Sequence, residues 1–166
     1  MLILEAGYRQ VWPGFALDLV QELRFCQESR YQLHGSNGSG KSSFLQKLLL
    51  PALQDNKAGY IVYLQQQIYL QLFALKAHTA FNLPGYRISD AQDAARYLLR
   101  DLRSAYNQKA QDIYLIADES PALDILMELE LPHCLILIDH HRRIPEAGLI
   151  SFSSPNPKLS RVRADA

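Results

Sequence analysis

This sequence is poor in cysteine, in net charge and in long apolar runs. Its 166 residues hold two cysteines, Cys26 and Cys134, whose separation fits no metal-binding or disulfide framework. Seventeen Lys and Arg residues balance seventeen Asp and Glu residues, so no charge excess favours a nucleic-acid partner. No window reaches the roughly 18 apolar residues of a membrane-spanning helix, and residues 1–5 lack the basic and apolar regions of an export signal. We therefore expect a cytoplasmic protein without direct nucleic-acid binding.

The length and composition fit one folded unit. A chain of 166 residues, 48% of them hydrophobic, can bury a core but has no room for a second ordinary domain. We predict a single nucleotide-binding domain over residues 1–150. Residues 151–166 are rich in Ser, Pro and Asn and carry three basic residues, a composition that predicts a mobile C-terminal tail.

The most informative segment is a glycine-rich motif in the first third of the chain. It fills every fixed position of the phosphate-binding pattern G-x-x-x-x-G-K-[ST] and reads Gly35-Ser36-Asn37-Gly38-Ser39-Gly40-Lys41-Ser42. A β-type run over 31–34 precedes it, and a helical pattern over 43–50 follows until Pro51, which we expect to end the helix. Loop amides and a helix start attract phosphate. Lys41 would reach the β- and γ-phosphates, and the Ser42 hydroxyl would bind Mg²⁺.

Two adjacent carboxylates supply the second half of the predicted site. The apolar run 113–117 ends in Asp118-Glu119, a pattern that predicts two acids at the carboxyl tip of a buried parallel strand. Ligands of open α/β sheets bind at that edge. Asp118 can then reach Mg²⁺ through a water molecule, and Glu119 can polarise the water that attacks the γ-phosphate.

The residues around these motifs resemble a known family. Asp118-Glu119 is followed by Ser120-Pro121-Ala122-Leu123-Asp124, which is similar to the Walker B and D-loop segment of ABC-type ATPases. The glycine-rich motif, extended by Ser43, has that family's preferred form. The resemblance implies an α/β P-loop fold, with a mostly parallel central sheet flanked by helices and a trimmed helical subdomain. It also implies ATP and Mg²⁺ as ligands and slow ATP hydrolysis.

The resemblance also implies two further polar residues at the nucleotide. The apolar run 134–138 is closed by Asp139-His140-His141, and His140 aligns best with the family's histidine that contacts the γ-phosphate, with His141 as the alternative. The run 60–64 leads into three glutamines that resemble the family's Q-loop, whose glutamine touches Mg²⁺ and the attacking water. Gln66 and Gln65 both fit that role.

Two other features of the family are weaker here. Tyr8 and Trp12 both lie at a separation from Lys41 where the family stacks an aromatic ring on adenine. The segment 88–92 stands where the family has its signature motif, but it lacks both glycines. Ser89 and Gln92 also form the capping box S-x-x-Q, so a degenerate signature and a plain helix cap both remain open, with the helix itself expected from Asp93 to Tyr106.

An apolar and aromatic segment suggests a protein partner. Residues 67–85 are unusually apolar for a surface and lie where a transporter ATPase of the family meets its membrane partner, so a partner could hold this protein at the inner face of a membrane. The family resemblance also implies an ATP-dependent homodimer.

Together these patterns predict strands near 31–34, 60–64, 113–117 and 134–138, plus N-terminal strands. The favoured function is an ATPase that couples nucleotide occupancy to a partner protein. One alternative is an ATP-responsive regulatory or assembly module without turnover. Another is a small-molecule kinase whose lid arginines would come from Arg96, Arg100 and Arg103.

Overall fold

The computed structural model describes residues 1–56, 59–66, 71–73, 76–77, 87–100, 102 and 112–165. The described strands are β1 (Leu2–Leu4), β2 (Gly7–Trp12), β3 (Phe15–Leu19), β4 (Leu23–Phe25), β5 (Arg30–Gly35), β6 (Tyr60–Leu64), β7 (Ile113–Asp118), β8 (Cys134–Ile138), β9 (Gly148–Asn156) and β10 (Leu159–Ala164). The α-helices with described bounds are α1 (Lys41–Phe44), α2 (Leu50–Asp55), α3 (Ala91–Leu99) and α4 (Leu123–Met127), and a π-helical segment, Leu45–Leu49, joins α1 to α2.

The central element is a mixed eight-stranded sheet of order β2-β3-β10-β9-β5-β8-β7-β6, and β1 and β4 form a separate antiparallel pair. We call β5, β8, β7 and β6 the inner half, in which every neighbouring pair is parallel. We call β2, β3, β10 and β9 the outer half, in which β2–β3 and β10–β9 are antiparallel and β10–β3 is parallel. The predicted α/β class and all four predicted inner strands are confirmed.

The central strands β7 and β8 are buried on both faces. Their successive residues point to opposite sides of the sheet, and a hydrophobic core covers each side. Tyr114 and Ile116 pack into one core, which the helical segment over 41–55 covers. Ile113 and Leu115 pack into a second core with residues of α3 and α4. Every residue of β7 and β8 is consequently buried.

The outer half includes residues up to Ala164 and contradicts the predicted mobile tail. Residues 148–156 and 159–164 are strands, and β10 pairs with both β9 and β3. Phe152 and Val162 are 5% and 0% exposed in the first core, and this burial fixes the two strands. The alternation of apolar and polar residues in β10 is typical of a half-buried strand. The Ser, Pro and Asn content of the segment favoured a mobile tail instead.

The helix after the glycine motif continues past Pro51, so its predicted end is wrong. The π-helical segment Leu45–Leu49 precedes α2, and Pro51 lies in the first turn of α2. A proline is tolerated at that position because its missing N–H would have no partner within the helix.

Both cysteines are free thiols, and Cys134 is buried whereas Cys26 is half-buried. Burial raises the pKa of Cys134 to about 12.

Among the described residues, no helix has both the length and the apolar character to cross a membrane. The cytoplasmic location stays a prediction.

Candidate functional site

Four polar segments meet at one edge of the inner half. They follow β5, β8, β7 and β6, and adjacent parallel strands bring their carboxyl ends to the same edge. A cleft of about 770 Å³ opens there. Its lining residues are Trp12, Phe15, Asn37, Gly38, Gly40, Lys41, Ser42, Ser43, Gln66, Glu119, His140 and His141. The structure therefore brings together most of the site residues that the sequence predicted.

The glycine loop (residues 35–40) leads directly into α1. Gly40 is the residue before the helix and has a left-handed φ of 91°, with no side-chain cap on the first helical amides. The Lys41 ammonium folds back and donates to the carbonyls of Gly35 and Ser36 over 2.8 and 2.9 Å. Ser39 is buried, and its hydroxyl has no hydrogen-bond partner within the described part of the chain.

Lys41 is a buried cation in a cleft that also holds acidic groups. Lys41 is only 5% exposed. Burial lowers its pKa, and the charges of Glu119 and Asp118 oppose that shift. Within the described part of the chain, the ammonium bonds to backbone carbonyls, and it is an available partner for an anionic ligand.

Asp118 contacts the glycine motif directly. The Ser42 hydroxyl donates to Asp118 Oδ1 over 3.2 Å, and the Tyr63 hydroxyl lies 3.4 Å from Oδ2 as its second donor. Asp118 is 3% exposed. Burial raises its pKa, as does the neighbouring Glu119, against the hydrogen bonds from Ser42 and Tyr63. A strand end and a helix start thus present oxygen atoms to each other across the cleft.

Glu119 is held from two sides. Gln66 donates its side-chain amide to Glu119 Oε2 over 2.6 Å, and His140 Nε2 lies 2.9 Å from Oε1. The backbone of Glu119 has a left-handed φ of 49°, a conformation that costs a non-glycine residue about 1 kcal/mol or more. Strained backbone of this kind recurs where a side chain must be aimed at a site.

These contacts separate the alternative glutamines and histidines by position. The backbone N–H of Gln65 donates to the Gln71 side chain over 3.0 Å, and Gln65 is not among the residues that line the cleft. His141 lines the cleft, and its backbone N–H donates to Asp139 over 2.7 Å. Gln66 and His140 are therefore the members of each pair that touch Glu119, and their roles stay predictions.

The two candidate aromatic residues lie at different places on β2. Trp12 lines the cleft, donates its indole N–H to Ser43 Oγ over 3.1 Å and has Lys47 Nζ 4.1 Å from its ring centroid. Tyr8 is 63% exposed and lies beside residues 156–159, outside the cleft lining. Of the two candidates, Trp12 is the one that lines the cleft.

The segment 88–92 forms a helix cap, shifted by one residue from the predicted one. Asp90 is the capping residue, and its side chain accepts from the backbone N–H of Asp93 over 2.8 Å. Asp93 in turn accepts from the backbone N–H of Ser89 over 3.1 Å. This reciprocal cap explains the acidic residues at the start of α3. The segment is absent from the cleft lining.

Two predictions fall wholly or partly outside the described residues. The proposed partner-binding segment, 67–85, is described only at 71–73 and 76–77, where Phe73 is 78% exposed. Arg103 of the suggested kinase lid is likewise outside them. Arg96 bonds within α3 to Asp93 and Gln92.

The described residues contain no group of three His, Cys, Asp or Glu side chains that could cage a metal ion. Mg²⁺ is usually held by only one or two protein groups together with water and substrate phosphates. Ser42 and Asp118 already form such an oxygen pair. Gln66, which was predicted to touch Mg²⁺, donates its side-chain amide to Glu119.

Pattern analysis missed three residues of this region: Tyr63, Gln32 and Arg142. Tyr63 donates to Asp118, while Gln32 and Arg142 bond within the turn that follows β8. One signal was available, because Gln32 is a polar residue inside the run that precedes the glycine loop and is 4% exposed.

Comparison with known proteins shows the fold alone. No family model and no curated protein matches the chain. One similar solved structure is a complex of the archaeal ribosomal stalk protein aP1 and the archaeal ribosome recycling factor aABCE1 (TM-score 0.55, 14% identity, 98% of this chain and 39% of that one). Another is a model of ribosome-bound archaeal Pelota and ABCE1 (TM-score 0.50, 16% identity, 97% and 34%).

These findings correct the family assignment that the sequence resemblance implied. The chain spans 39% and 34% of these two matched chains at 14% and 16% identity, and neither match reaches the identity or length that would place it among ABC-type ATPases. The resemblance rested on short motifs, and the segment that should carry the signature forms a helix cap. Both neighbours are multi-protein assemblies.

Proposed function

We propose that this chain binds a nucleoside triphosphate with Mg²⁺ in the cleft, hydrolyses it slowly and signals its nucleotide state to a partner protein. One observation carries the proposal. The Lys41-Ser42 pair at the start of α1 and the Asp118-Glu119 pair at the tip of β7 face each other, with Ser42 bonded to Asp118 over 3.2 Å. A cation, helix amides and two carboxylates in one cleft form the set that a metal-bound polyphosphate needs.

The phosphates would lie along the glycine loop and the start of α1. Lys41 would exchange its two carbonyl partners for phosphate oxygens, which are stronger acceptors because they are charged. Uncapped helical amides follow Gly40 and would donate to the same oxygens. The base would stack on Trp12, and since stacking does not distinguish bases, ATP and GTP are both candidates.

The oxygens of Ser42 and Asp118 are the groups that would hold Mg²⁺. Bound there, the ion would neutralise charge on the phosphates and polarise them. The Ser42 hydroxyl can bind directly, and Asp118 can bind directly or through water. The buried position of Asp118 favours a bound cation, because an unpaired carboxylate is costly to bury.

Glu119 is the group that would orient the attacking water. Its carboxylate can accept a proton from water near the γ-phosphate, and Gln66 and His140 fix its direction. A neutral His140 can donate one ring N–H while its other nitrogen accepts. Gln66 and His140 engage one carboxylate oxygen each, and each oxygen can accept a second hydrogen bond from the attacking water.

The same double engagement of Glu119 favours a second candidate, a module that responds to nucleotide without turnover. In that case Gln66 and His140 would keep Glu119 from the water, and nucleotide occupancy alone would be signalled. The kinase alternative receives no support from the described cleft, whose lining contains no arginine.

Calorimetry with a non-hydrolysable ATP analogue and Mg²⁺ tests the binding proposal. We expect Lys41→Ala to weaken binding by roughly tenfold to a hundredfold, since a charge-assisted contact is lost. Lys158→Ala is the matched control, because Lys158 is exposed and outside the cleft. Absence of heat at millimolar Mg-ATP and Mg-GTP, or equal effects of the two lysine variants, would contradict the proposal.

Phosphate release separates the enzyme from the module. Glu119→Gln should retain binding and lower the hydrolysis rate by roughly a hundredfold or more. Glu146→Gln is the control, because Glu146 also has a left-handed backbone, with φ of 61°, and lies outside the cleft. Equal rates for parent and Glu119→Gln would favour the module. Size measurements with and without nucleotide would show whether two chains associate.

A further inference from the structure

We propose that Gln32 and Arg142 are positioning residues, which hold the turn after β8 so that His140 stays against Glu119. This inference rests on the proposed hydrolysis at Glu119. Neither residue lies in a local sequence motif. Both act through the turn over 139–144, which carries His140 out of β8 and into the cleft.

Gln32 connects β5, the strand that enters the glycine loop, to that turn. Its amide nitrogen donates to the carbonyls of Asp139 and Arg142 over 3.1 and 2.7 Å. Its amide oxygen accepts from the backbone N–H of Ile144 over 3.0 Å. Gln32 is 4% exposed, and all three bonds go to one segment. A buried amide used in this way fixes the course of the backbone, because each unmade bond would leave a buried polar group unpaired.

Asp139 closes the same turn from within. Its Oδ1 accepts from the backbone N–H groups of His141 and Arg142 over 2.7 and 3.0 Å. Its Oδ2 accepts from Arg142 Nε over 3.0 Å. Burial would raise the pKa of Asp139, but these hydrogen bonds and the guanidinium outweigh burial and hold the pKa below its usual value. His140 is therefore flanked by an anchored residue on each side.

Arg142 also reaches the other loop of the site. Its Nη1 donates to Asp124 Oδ1 over 2.6 Å, and Asp124 lies in α4, which follows Glu119 in the chain. One guanidinium thus joins the turn that carries His140 to the helix that follows Glu119. The two loops also meet through the bond from the Glu119 N–H to the Ile138 carbonyl, over 3.0 Å. Arg142 is placed to keep the separation of His140 and Glu119 constant.

The kinetic test compares neighbouring arginines. Arg142→Ala should lower kcat by roughly tenfold or more, because small misplacements of a catalytic group cost this much, and should leave the nucleotide Kd within about twofold. Arg143→Ala is the matched control, since Arg143 is exposed and makes no ion pair among the described residues. Arg142→Lys should restore part of the rate, because lysine keeps the charge but cannot fork between two carboxylates.

A double-mutant cycle distinguishes positioning from general stability. If Arg142 acts through His140, Arg142→Ala should change kcat by less than about twofold in a His140→Ala background. A full, additive loss in that background would overturn the proposal. Gln32→Leu should reproduce the kcat loss. Gln32→Glu should reproduce it too, because a buried carboxylate oxygen would replace the donor to the carbonyls of Asp139 and Arg142. Should the Gln32 variants not fold, the Arg142 cycle decides alone.

A readout without turnover separates this inference from the proposed function. The ring resonances of His140 should shift when Glu119 is changed to Gln in the parent protein, because the two side chains touch. They should not respond to that change in the Arg142→Ala protein. The same response in both backgrounds overturns the inference, whatever the ATPase rate. A lost response in a protein that never hydrolyses ATP supports the inference and refutes hydrolysis.

Discussion

The inner and outer halves of the sheet use their strands differently. The inner strands β7 and β8 are packed on both faces, and the segments that follow the inner strand ends line the cleft. The outer strands β3 and β10 place their large buried apolar side chains in the first core, and on β10 the alternate residues Arg161 and Arg163 are exposed. The outer half contributes only Trp12 and Phe15 to the cleft lining. Parallel strands create the site, and the outer half supplies its wall.

The reason for this difference is geometric. In a parallel array every strand ends at the same edge, so loops that are distant in the chain become neighbours. Asp118 and Ser42, 76 residues apart, meet in this way. Antiparallel neighbours end at opposite edges, so the outer strands cannot all deliver side chains to one cleft.

Serine substitutions on the two halves give the largest expected difference in the free energy of unfolding. Leu135→Ser and Ile136→Ser, on opposite faces of β8 and both 0% exposed, should each lower the free energy of unfolding by about 4 kcal/mol or more. On β10, Val162→Ser should also be strongly destabilising. Arg161→Ser should cost less than about 0.5 kcal/mol, because Arg161 makes only a 3.9 Å pair with Asp18.

Urea denaturation measures these changes, provided that the slope with denaturant is unchanged. If either β8 variant were nearly neutral, the inner half would have one buried face and the contrast would fail. Leu135→Ala and Ile136→Ala replace the serine variants if those do not fold, with an expected loss of about 2 kcal/mol or more each.

Two glycines with similar backbone conformations allow a second comparison of stability, at the place where the two halves meet. Gly40 and Gly14, in the turn between β2 and β3, have φ of 91° and 81°. A Cβ on Gly40 would lie 2.7 Å from Phe15 Cζ, whereas a Cβ on Gly14 would have no neighbour within 4 Å. Gly14→Ala should cost about 1 kcal/mol from backbone strain alone. Gly40→Ala should cost about 2–4 kcal/mol, because overpacking adds to the same strain.

Thermal and urea unfolding of both alanine variants test this pair, and nucleotide affinity is measured alongside. Gly40→Ala should also weaken binding, since the first amides of α1 would shift. Equal stability losses would mean that Phe15 moves away freely, and that the glycine loop does not press against the outer half.

The inner half was predictable from sequence because uninterrupted apolar runs, such as 134–138, have few other structures open to them. The spacing of Lys41, Ser42, Asp118 and Glu119 likewise indicated one cleft, because each follows a predicted parallel strand. The outer strands over 148–164 were missed, since Ser, Pro and Asn weaken a pattern that burial of Phe152 and Val162 restores.

Long-range hydrogen bonds explain what else could not be predicted. Gln32 and Ile144 are 112 residues apart, and no local pattern links a strand amide to a distant turn. Arg142 meets Asp124 only because β7 and β8 are neighbours in the sheet. The family assignment failed for a related reason, since short motifs describe a phosphate cradle and leave the rest of the chain unspecified.

The smallest expected effect concerns the one side chain through which the outer half would touch the nucleotide base. Trp12 is the only tryptophan of the chain, so its fluorescence should change when Mg-ATP binds. Trp12→Ala should weaken binding by about 1 kcal/mol, or roughly fivefold, through lost stacking, and Trp12→Phe should lose less. Tyr8→Ala is the control on the same strand, because Tyr8 lies outside the cleft lining. Equal weakening by Tyr8→Ala and Trp12→Ala would contradict the proposal that the base stacks on Trp12. The outer half would then affect binding only through the packing of β2.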